Sequence, residues 1–447
     1  MRYLPNTPQN QRAMLDAIGV RSVEDLLVKI PAKARLSRPL ALPPALAESD
    51  LVRHLRGLAA RNADADSFTC FLGAGAYDHY VPSPISHLVL RGEFLTAYTP
   101  YQPEASQGTL RTIYEYQTMI AELTGMDVAN ASIYDGGSSL AEAVLMAHAV
   151  NGRGEIALTG AVNPLYRRVV ETYVDGPGLR LREVPAPAGV TDLDAARRVV
   201  GGKTAALVVQ SPNFYGCLED VTAAAEIAHA AGALLIVVSD PVNLGVLEAP
   251  GRQGADVVVG EGQGLGVPLG FGGPYLGVFA AKQDFVRRLP GRLVGATVDL
   301  DGARGFALTL QTREQHIRRA KATSNICTNV ALCALMATIY LAILGKQGLV
   351  RVGELSTAKA HYAARRLAEV PGVTLRFPQP FFKEFTLKLP KSPERVAARL
   401  ARQNILAGLP LKGLDRKHAD CLLVAVTEKR TKDEIDAFAD ALGKAVA

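Results

Sequence analysis

The chain has 447 residues, of which 48% are hydrophobic and 21% are charged, so it can bury a large core in two or three domains. Its net charge of +6 is small for this length and its basic residues are spread out except at 318–321, which does not indicate nucleic-acid binding. The five cysteines form no CxxC pair, so neither a disulfide framework nor a zinc site is predicted. The N-terminus shows no signal-peptide pattern, and a cytoplasmic protein is expected.

Residues 1–60 are predicted to form an arm of short helices. In SVEDLLVKIP, Ser22 can cap a helix together with Asp25, and Pro31 is expected to end it. The stretch AYTPYQPEASQG, residues 97–108, combines tyrosines, prolines and polar side chains, which favours an ordered loop. The pattern that follows, LRTIYEYQTMIAELTG, predicts a long amphipathic helix that stops at Gly125.

Five short apolar runs then alternate with helical patterns. They are EIALTG (155–160), AALVVQSP (205–212), ALLIVVSDP (233–241), ADVVVGEG (255–262) and LGVFAA (276–281). This alternation predicts a largely parallel sheet with both faces covered, in a large α/β domain at residues 61–325.

Residues 326–447 are predicted to form a linking helix and a small C-terminal α/β domain. The uncharged run at 326–344 has membrane-spanning length, but polar residues interrupt it, so a buried core helix is expected and no membrane association is predicted. Beyond it, VTLRF, EFTLKL, a helix at 393–403, CLLVAVTE and a helix from Thr431 repeat the alternation on a smaller scale.

Two features of the large domain suggest a ligand pocket. Gly136, Gly137 and Ser138 begin a predicted helix, where free N–H groups favour a phosphate, although an ordinary capped helix has the same pattern. Asp240 follows an apolar strand at the sheet edge where open α/β folds bind ligands. It could keep a pyridinium nitrogen protonated, as pyridoxal phosphate requires, or only cap the next turn.

The third feature is the Gly-rich loop VVGEGQGLGVPLGFGGPYLG at 258–277. A phosphate cup, a strand-end aspartate and a strand leading into such a loop follow the order of the aminotransferase-like pyridoxal phosphate enzymes, in which this loop carries the lysine that forms an imine with the cofactor. No lysine occurs between Lys203 and Lys282, so no primary amine is expected at this sheet edge. The loop's glycines also do not give the GxGxxG pattern of a dinucleotide fold.

Several segments resemble the glycine decarboxylase P-protein family. They are FLGAGAYDHYVPSPISHLVLRGEFLTAYTPYQPEASQGTLRTIYEYQTMIAELTGMDVANASIYDGGSSLAEA, SPNFYGCLED, GADVVVGEGQGLGVPLGFGGPYLG and TREQHIRRAKATSNICTN. The resemblance covers nearly the whole chain and implies the aminotransferase-like fold (fold type I) with a mainly parallel, seven-stranded type of sheet. The chain length corresponds to subunit 1 (alpha) of the split bacterial form, whose subunit 2 (beta) carries the cofactor lysine.

The resemblance also implies that this chain's own pocket is vestigial. Gln263 stands where the lysine would be, and Asn163 lies near the position of the side chain that stacks on the cofactor ring. The vestigial pocket would comprise Gly136, Gly137, Ser138, Asn163, Asp240 and Gln263. No metal is expected.

The family decarboxylates glycine with pyridoxal phosphate and transfers the aminomethyl group to the lipoyl arm of H-protein. By resemblance, the partner beta subunit binds the cofactor, an alpha2beta2 heterotetramer forms, and this chain contributes to the partner's active site in trans. The residues predicted for that role are Tyr98, Thr99, Tyr101, Gln102, Ser106, Thr323, Ser324 and Asn325. Alternatively, the tyrosines only pack across the interface and Ser324 only caps the 326–344 helix.

Other side chains have two interpretations each. Arg313, His316, Arg318 and Arg319 either attract the acidic carrier protein or form a solvated helix face, and His79 is expected to be structural. Two rival functions remain open. One is a non-catalytic binding or regulatory protein that uses the vestigial phosphate pocket, and the other is an independent decarboxylase with an amine from elsewhere, such as Lys282.

Overall fold

The computed structural model describes residues 5–447, which divide into two units. The first unit ends at Asn62 and contains α1 (Pro8–Ile18), α2 (Val23–Leu26) and α3 (Glu48–Ala59). The predicted capping box is present, because Ser22 Oγ accepts from the Asp25 N–H and the Asp25 carboxylate accepts from the Ser22 N–H. The helix already ends at Leu26, so the predicted end at Pro31 is wrong.

The second unit, Ala63–Ala447, contains the remaining helices and all the described strands. The helices are α4 (Ser83–Val89), α5 (Gly92–Leu95), α6 (Gln107–Thr124), α7 (Gly136–Asn151), α8 (Pro164–Asp175), α9 (Leu193–Val199), α10 (Val221–Ala230), α11 (Gln315–Arg318), α12 (Ala331–Ala368), α13 (Pro393–Ala401) and α14 (Lys432–Val446). The strands are β1 (Thr69–Cys70), β2 (Val128–Ala129), β3 (Glu155–Thr159), β4 (Arg180–Val184), β5 (Thr204–Gln210), β6 (Leu234–Val238), β7 (Val257–Glu261), β8 (Gly277–Ala281), β9 (Leu293–Val298), β10 (Arg304–Thr309), β11 (Thr374–Leu375), β12 (Glu384–Lys388), β13 (Ile405–Leu406), β14 (Leu409–Pro410) and β15 (Cys421–Ala425).

The large sheet has seven strands in the order β2-β8-β7-β6-β5-β3-β4. Strands β4, β3, β5, β6 and β7 run parallel, while β8 and β2 pair antiparallel at one side. All five predicted strands are present, which confirms the mainly parallel sheet. Strand β4 was not predicted, because as an edge strand with the sequence RLREV it is mostly solvent-exposed and lacks an apolar run.

A smaller antiparallel sheet has the order β11-β12-β15-β14. Its buried side chains share one core with residues of α12, α13 and α14. Strand β12 begins at Glu384, directly after the buried residue Lys383. Polar side chains at the start of β12 therefore lie near the large sheet. The predicted domain division at residue 325 stays a prediction.

Helix α12 differs from the predicted helix at 326–344. It begins at Ala331 and continues to Ala368, with a break at Gly345, where φ is 58°. Within residues 5–447 it is the one helix long and apolar enough to cross a membrane. Ala337 and Tyr340 of this helix are buried in the same core as strands of the large sheet, as expected for a core helix.

Candidate functional site

The predicted pocket lies at the edge of the large sheet where β5, β6 and β7 end. These strands are parallel, so their carboxyl ends meet at one edge and bring Asp240 and Glu261 into the same pocket. Tyr166 of α8 and Lys383 and Glu384 of the small sheet complete much of its wall. The pocket is therefore built from both sheets.

Helix α7 begins at Gly136, as predicted for a phosphate cup, but carboxylates already occupy its first N–H groups. Asp135 caps the helix and accepts from the Ser138 N–H at 2.8 Å. Glu261 Oε2 accepts from the Gly136 N–H at 3.0 Å, and its other oxygen accepts from the Gln263 and Leu276 N–H groups at 2.9 Å. Burial raises the pKa of Glu261 to about 8.

Asp240 has a cationic partner from the small sheet. Lys383 Nζ lies 2.6 Å from Asp240 Oδ2 and 2.7 Å from His79 Nε2, and it is 3.6 Å from the centre of the Tyr77 ring. The other Asp240 oxygen accepts from the Val242 N–H at 3.0 Å, so this aspartate also caps the next turn. The expectation that no primary amine lies at this sheet edge is wrong, because Lys383 supplies one from a distant part of the sequence.

His79 is a structural residue, as expected. Its Nδ1 lies 2.6 Å from Glu428 Oε2 on the side opposite Lys383. The side chains Asp240, Lys383, His79 and Glu428 thus form a chain of polar contacts that joins the large and small sheets.

The other two side chains of the predicted vestigial pocket bind backbone groups. Gln263 Oε1 accepts from the Tyr77 N–H at 2.8 Å, and its amide donates to Val267 O at 2.7 Å. Asn163 caps α8 and donates to Ala74 O at 2.8 Å. Both side chains hold loops together and are almost fully buried.

The side chains around this pocket do not fit pyridoxal phosphate. Glu261 places a carboxyl group on the helix start where a phosphate would bind, and Lys383 engages the carboxylate that a pyridinium would need. A Cβ atom at Gly136 would lie 2.8 Å from the Tyr166 hydroxyl, which shows how closely α8 covers the helix start. The remaining cavity is about 30 Å³, room for one or two waters. The pocket likewise does not favour the rival hypothesis of a phosphate-bearing ligand.

Lys282, the amine considered for an independent decarboxylase, lies elsewhere. It follows β8, and its Nζ is 2.6 Å from Asp256 Oδ1, near the start of β7. The pocket lies at the opposite end of that strand, so Lys282 does not contribute to it.

The 97–108 loop is joined to the chain just beyond the 323–325 segment by a residue that the sequence analysis missed. Arg292, which precedes β9, donates to the Tyr101 hydroxyl at 3.2 Å, to Cys327 O at 2.9 Å and to Thr328 Oγ1 at 2.8 Å. It is only 4% exposed, and its Nε lies 3.6 Å from Glu314 Oε2. The sequence feature that could have identified Arg292 is a charged residue directly before an apolar strand.

Four of the eight predicted trans residues are exposed in this chain. Tyr98 is 81% exposed and Tyr101 is 52% exposed. Gln102 and Asn325 are also exposed, whereas Thr99, Ser106, Thr323 and Ser324 are half-buried. An exposed aromatic pair on an ordered loop is available to a partner chain.

Two expectations are wrong, namely that Ser324 caps the 326–344 helix and that Arg313 is a docking residue or a solvated one. Ser324 Oγ accepts from the Ile326 N–H at 3.0 Å, but α12 starts at Ala331, so Ser324 does not cap that helix. Arg313 is buried and donates to the carbonyls of Leu310, Gly291 and Leu289, so it is neither a solvated residue nor a docking residue. His316, Arg318 and Arg319 are exposed.

Glu142 of α7 gives a pH prediction. Burial raises its pKa from 4.5 to about 7, although a hydrogen bond with Ser324 acts to lower it. The pKa of Glu142 is higher in the folded chain than in the unfolded chain, so protonation of this carboxyl group stabilises the fold. This contribution is complete below about pH 4.5 and is lost as the pH rises through 7. The unfolding free energy of Glu142→Gln minus that of the parent chain should therefore rise by about 2 kcal/mol from pH 5 to pH 8. Urea unfolding at both pH values measures this, with the exposed Glu122→Gln as control, and an equal difference at both would contradict it.

Comparison with known proteins identifies the family. Residues 1–442 match the family model described as glycine cleavage system P-protein. Two relatives, from Moorella thermoacetica (53% identical) and Desulforamulus reducens (52% identical), are both named "Probable glycine dehydrogenase (decarboxylating) subunit 1", and each match covers 99% of both chains.

Solved structures agree with this result. The crystal structure of glycine decarboxylase (P-protein) of the glycine cleavage system, in inhibitor-bound form, is 48% identical, with a TM-score of 0.91 and complete coverage of both chains. A sphingosine-1-phosphate lyase from Burkholderia pseudomallei is 17% identical, with a TM-score of 0.67 over 93% of this chain and 94% of that one, and shows the fold alone. The predicted aminotransferase-like fold type I is thus confirmed. The chain belongs to the glycine cleavage system P-protein family.

Proposed function

We propose that this chain is subunit 1 (alpha) of a two-subunit cytoplasmic glycine dehydrogenase (aminomethyl-transferring), and that it completes the active site of subunit 2 (beta). The observation that carries the proposal is the pocket at the sheet edge. Its loop has Gln263 where the family's active subunit has lysine, and Lys383 already engages Asp240. Pyridoxal phosphate would therefore be bound covalently by subunit 2, and glycine decarboxylation would take place there.

The contribution of this chain would come from the 97–108 loop and the 323–325 segment. Arg292 donates to Tyr101 of this loop and to Cys327, two residues beyond Asn325, so Tyr98 and Tyr101 can be presented on a surface fixed near the 323–325 segment. Their rings would exclude water, and their hydroxyls would donate hydrogen bonds to glycine or to the lipoyl arm of H-protein. Thr323, Ser324 and Asn325 would reach the phosphate end of the partner's site. An alpha2beta2 assembly would hold two such sites.

Mixing the separately purified subunits tests this function. Glycine-dependent exchange of carbon dioxide, with H-protein present, should appear only when this chain and subunit 2 are combined. Each subunit alone is the control. Full turnover of glycine by this chain alone would refute the proposal.

Tyr101→Phe and Asn325→Ala should each lower the activity of the mixed complex about three- to tenfold, at a cost of roughly 1 kcal/mol for a lost hydrogen bond. Neither should dissociate the complex, because neither removes an apolar anchor. Steady-state kinetics together with size-exclusion chromatography measures both effects, with the exposed Tyr80→Phe as control. Unchanged activity in both variants would remove these site assignments while leaving the family assignment intact.

A further inference from the structure

We infer that this chain fills its own pocket with two side chains, Lys383 and Glu261, which occupy the places of the cofactor's charged ends. Restoring a lysine in the Gly-rich loop would then not restore cofactor binding. This goes beyond the proposed function, which states which subunit binds the cofactor and not that this pocket would exclude the cofactor even with a lysine in the loop.

Lys383 lies at the place of the cofactor's cationic pyridinium. A carboxylate at the end of β6 suits a pyridinium, and here Asp240 has an ammonium group 2.6 Å away instead. The ammonium group is also 2.7 Å from His79 Nε2 and lies over the Tyr77 ring. Because Lys383 is only 2% exposed, a ligand that displaced it would have to separate a buried ion pair.

Glu261 lies at the place of the cofactor's phosphate end. Its carboxyl group accepts three backbone N–H groups, those of Gly136, Gln263 and Leu276. A phosphate at the start of α7 would need the Gly136 N–H and the space beside Tyr166. The helix start is thus occupied by the protein itself.

Lys383 also connects the small sheet to the large one. Lys383 directly precedes β12, and the next residue, Glu384, accepts from the Ala74 N–H at 2.7 Å and from the Tyr77 hydroxyl at 2.9 Å. A ligand that entered the pocket would have to move the start of β12 as well as two side chains. The filled pocket therefore fixes the small sheet on the large one.

Equilibrium dialysis of the purified chain against pyridoxal 5′-phosphate tests this inference. Gln263→Lys alone should bind no more tightly than the parent chain. The triple variant Gln263→Lys/Glu261→Gln/Lys383→Gln should bind at least about tenfold more tightly, and inorganic phosphate should compete with the binding. The matched control is Gln263→Lys/Glu142→Gln/Lys282→Gln, which removes a buried glutamate and a lysine–aspartate pair outside the pocket and should gain nothing.

Two results would overturn the inference. One is tight binding by Gln263→Lys alone, and the other is a folded triple variant that binds no better than the parent. A measurement on the unaltered chain covers the case in which the triple variant does not fold. In native-state reductive methylation followed by mass spectrometry, Lys383 should stay unmodified while Lys388, which is 54% exposed, reacts. Equal labelling of both lysines would also overturn the inference.

Discussion

Lys383→Met is expected to lower the free energy of unfolding by about 3–5 kcal/mol, because it leaves a carboxylate in a closed pocket without its cation. Lys383 is 2% exposed, and it contacts Asp240, His79 and the ring of Tyr77 at once. Methionine fills a similar volume, so most of the loss comes from the unpaired charge of Asp240. The loss of unfolding free energy in this variant therefore reports the broken ion pair and not a cavity.

Urea unfolding at pH 7, followed by circular dichroism, measures this loss. The control is Lys388→Met at the end of β12, the strand that Lys383 precedes. The ion pair of Lys388 with Asp420 at 3.4 Å is about half exposed on both sides, so the expected loss is below about 1 kcal/mol. Adding Asp240→Asn to Lys383→Met should recover part of the stability, since the buried charge is then gone. Equal small losses for both lysine variants would show that the buried pair does not hold the pocket closed.

Arg292→Met is expected to lower the activity of the mixed complex about 10- to 100-fold, the loss that a misplacement near 1 Å can cause. The guanidinium group donates to the Tyr101 hydroxyl, Cys327 O and Thr328 Oγ1, so its removal frees the 97–108 loop from the chain that follows the 323–325 segment. It also leaves Glu314, which is 7% exposed, without its nearest cation. Arg292 would act as a positioning residue, since it works through the loop that it holds.

Kinetics of the reconstituted complex should separate this role from a general loss of stability. The kcat for glycine should fall at temperatures where circular dichroism shows the variant chain fully folded. Arg292→Lys should recover only part of the activity, because an ammonium group cannot reach all three partners in the geometry of the guanidinium. The control is Arg304→Met, since this side chain lies over the rings of Tyr114 and Phe306, outside both segments. A kcat unchanged in the folded Arg292→Met complex would refute the positioning role.

Residue order alone predicted most of the local elements and the absence of a lysine in the Gly-rich loop. Apolar runs and their spacing located five strands of the large sheet, and short-range signals located the capping box of Ser22, the stop at Gly125 and the start of the last helix near Thr431. These features depend on residues within a few positions of one another, which periodicity and capping rules describe directly.

The side chains that fill the pocket and the side chain that anchors the 97–108 loop could be found only from long-range packing. His79 and Lys383 are 304 positions apart, and Tyr101 and Arg292 are 191 positions apart, so no local pattern links them. The neighbourhood of the Gly-rich loop contains no lysine, and it therefore predicted wrongly that the sheet edge has no amine. Packing of the small sheet against the large one brings Lys383 to Asp240, since a buried carboxylate needs a cation or hydrogen-bond donors from whichever part of the chain can reach it.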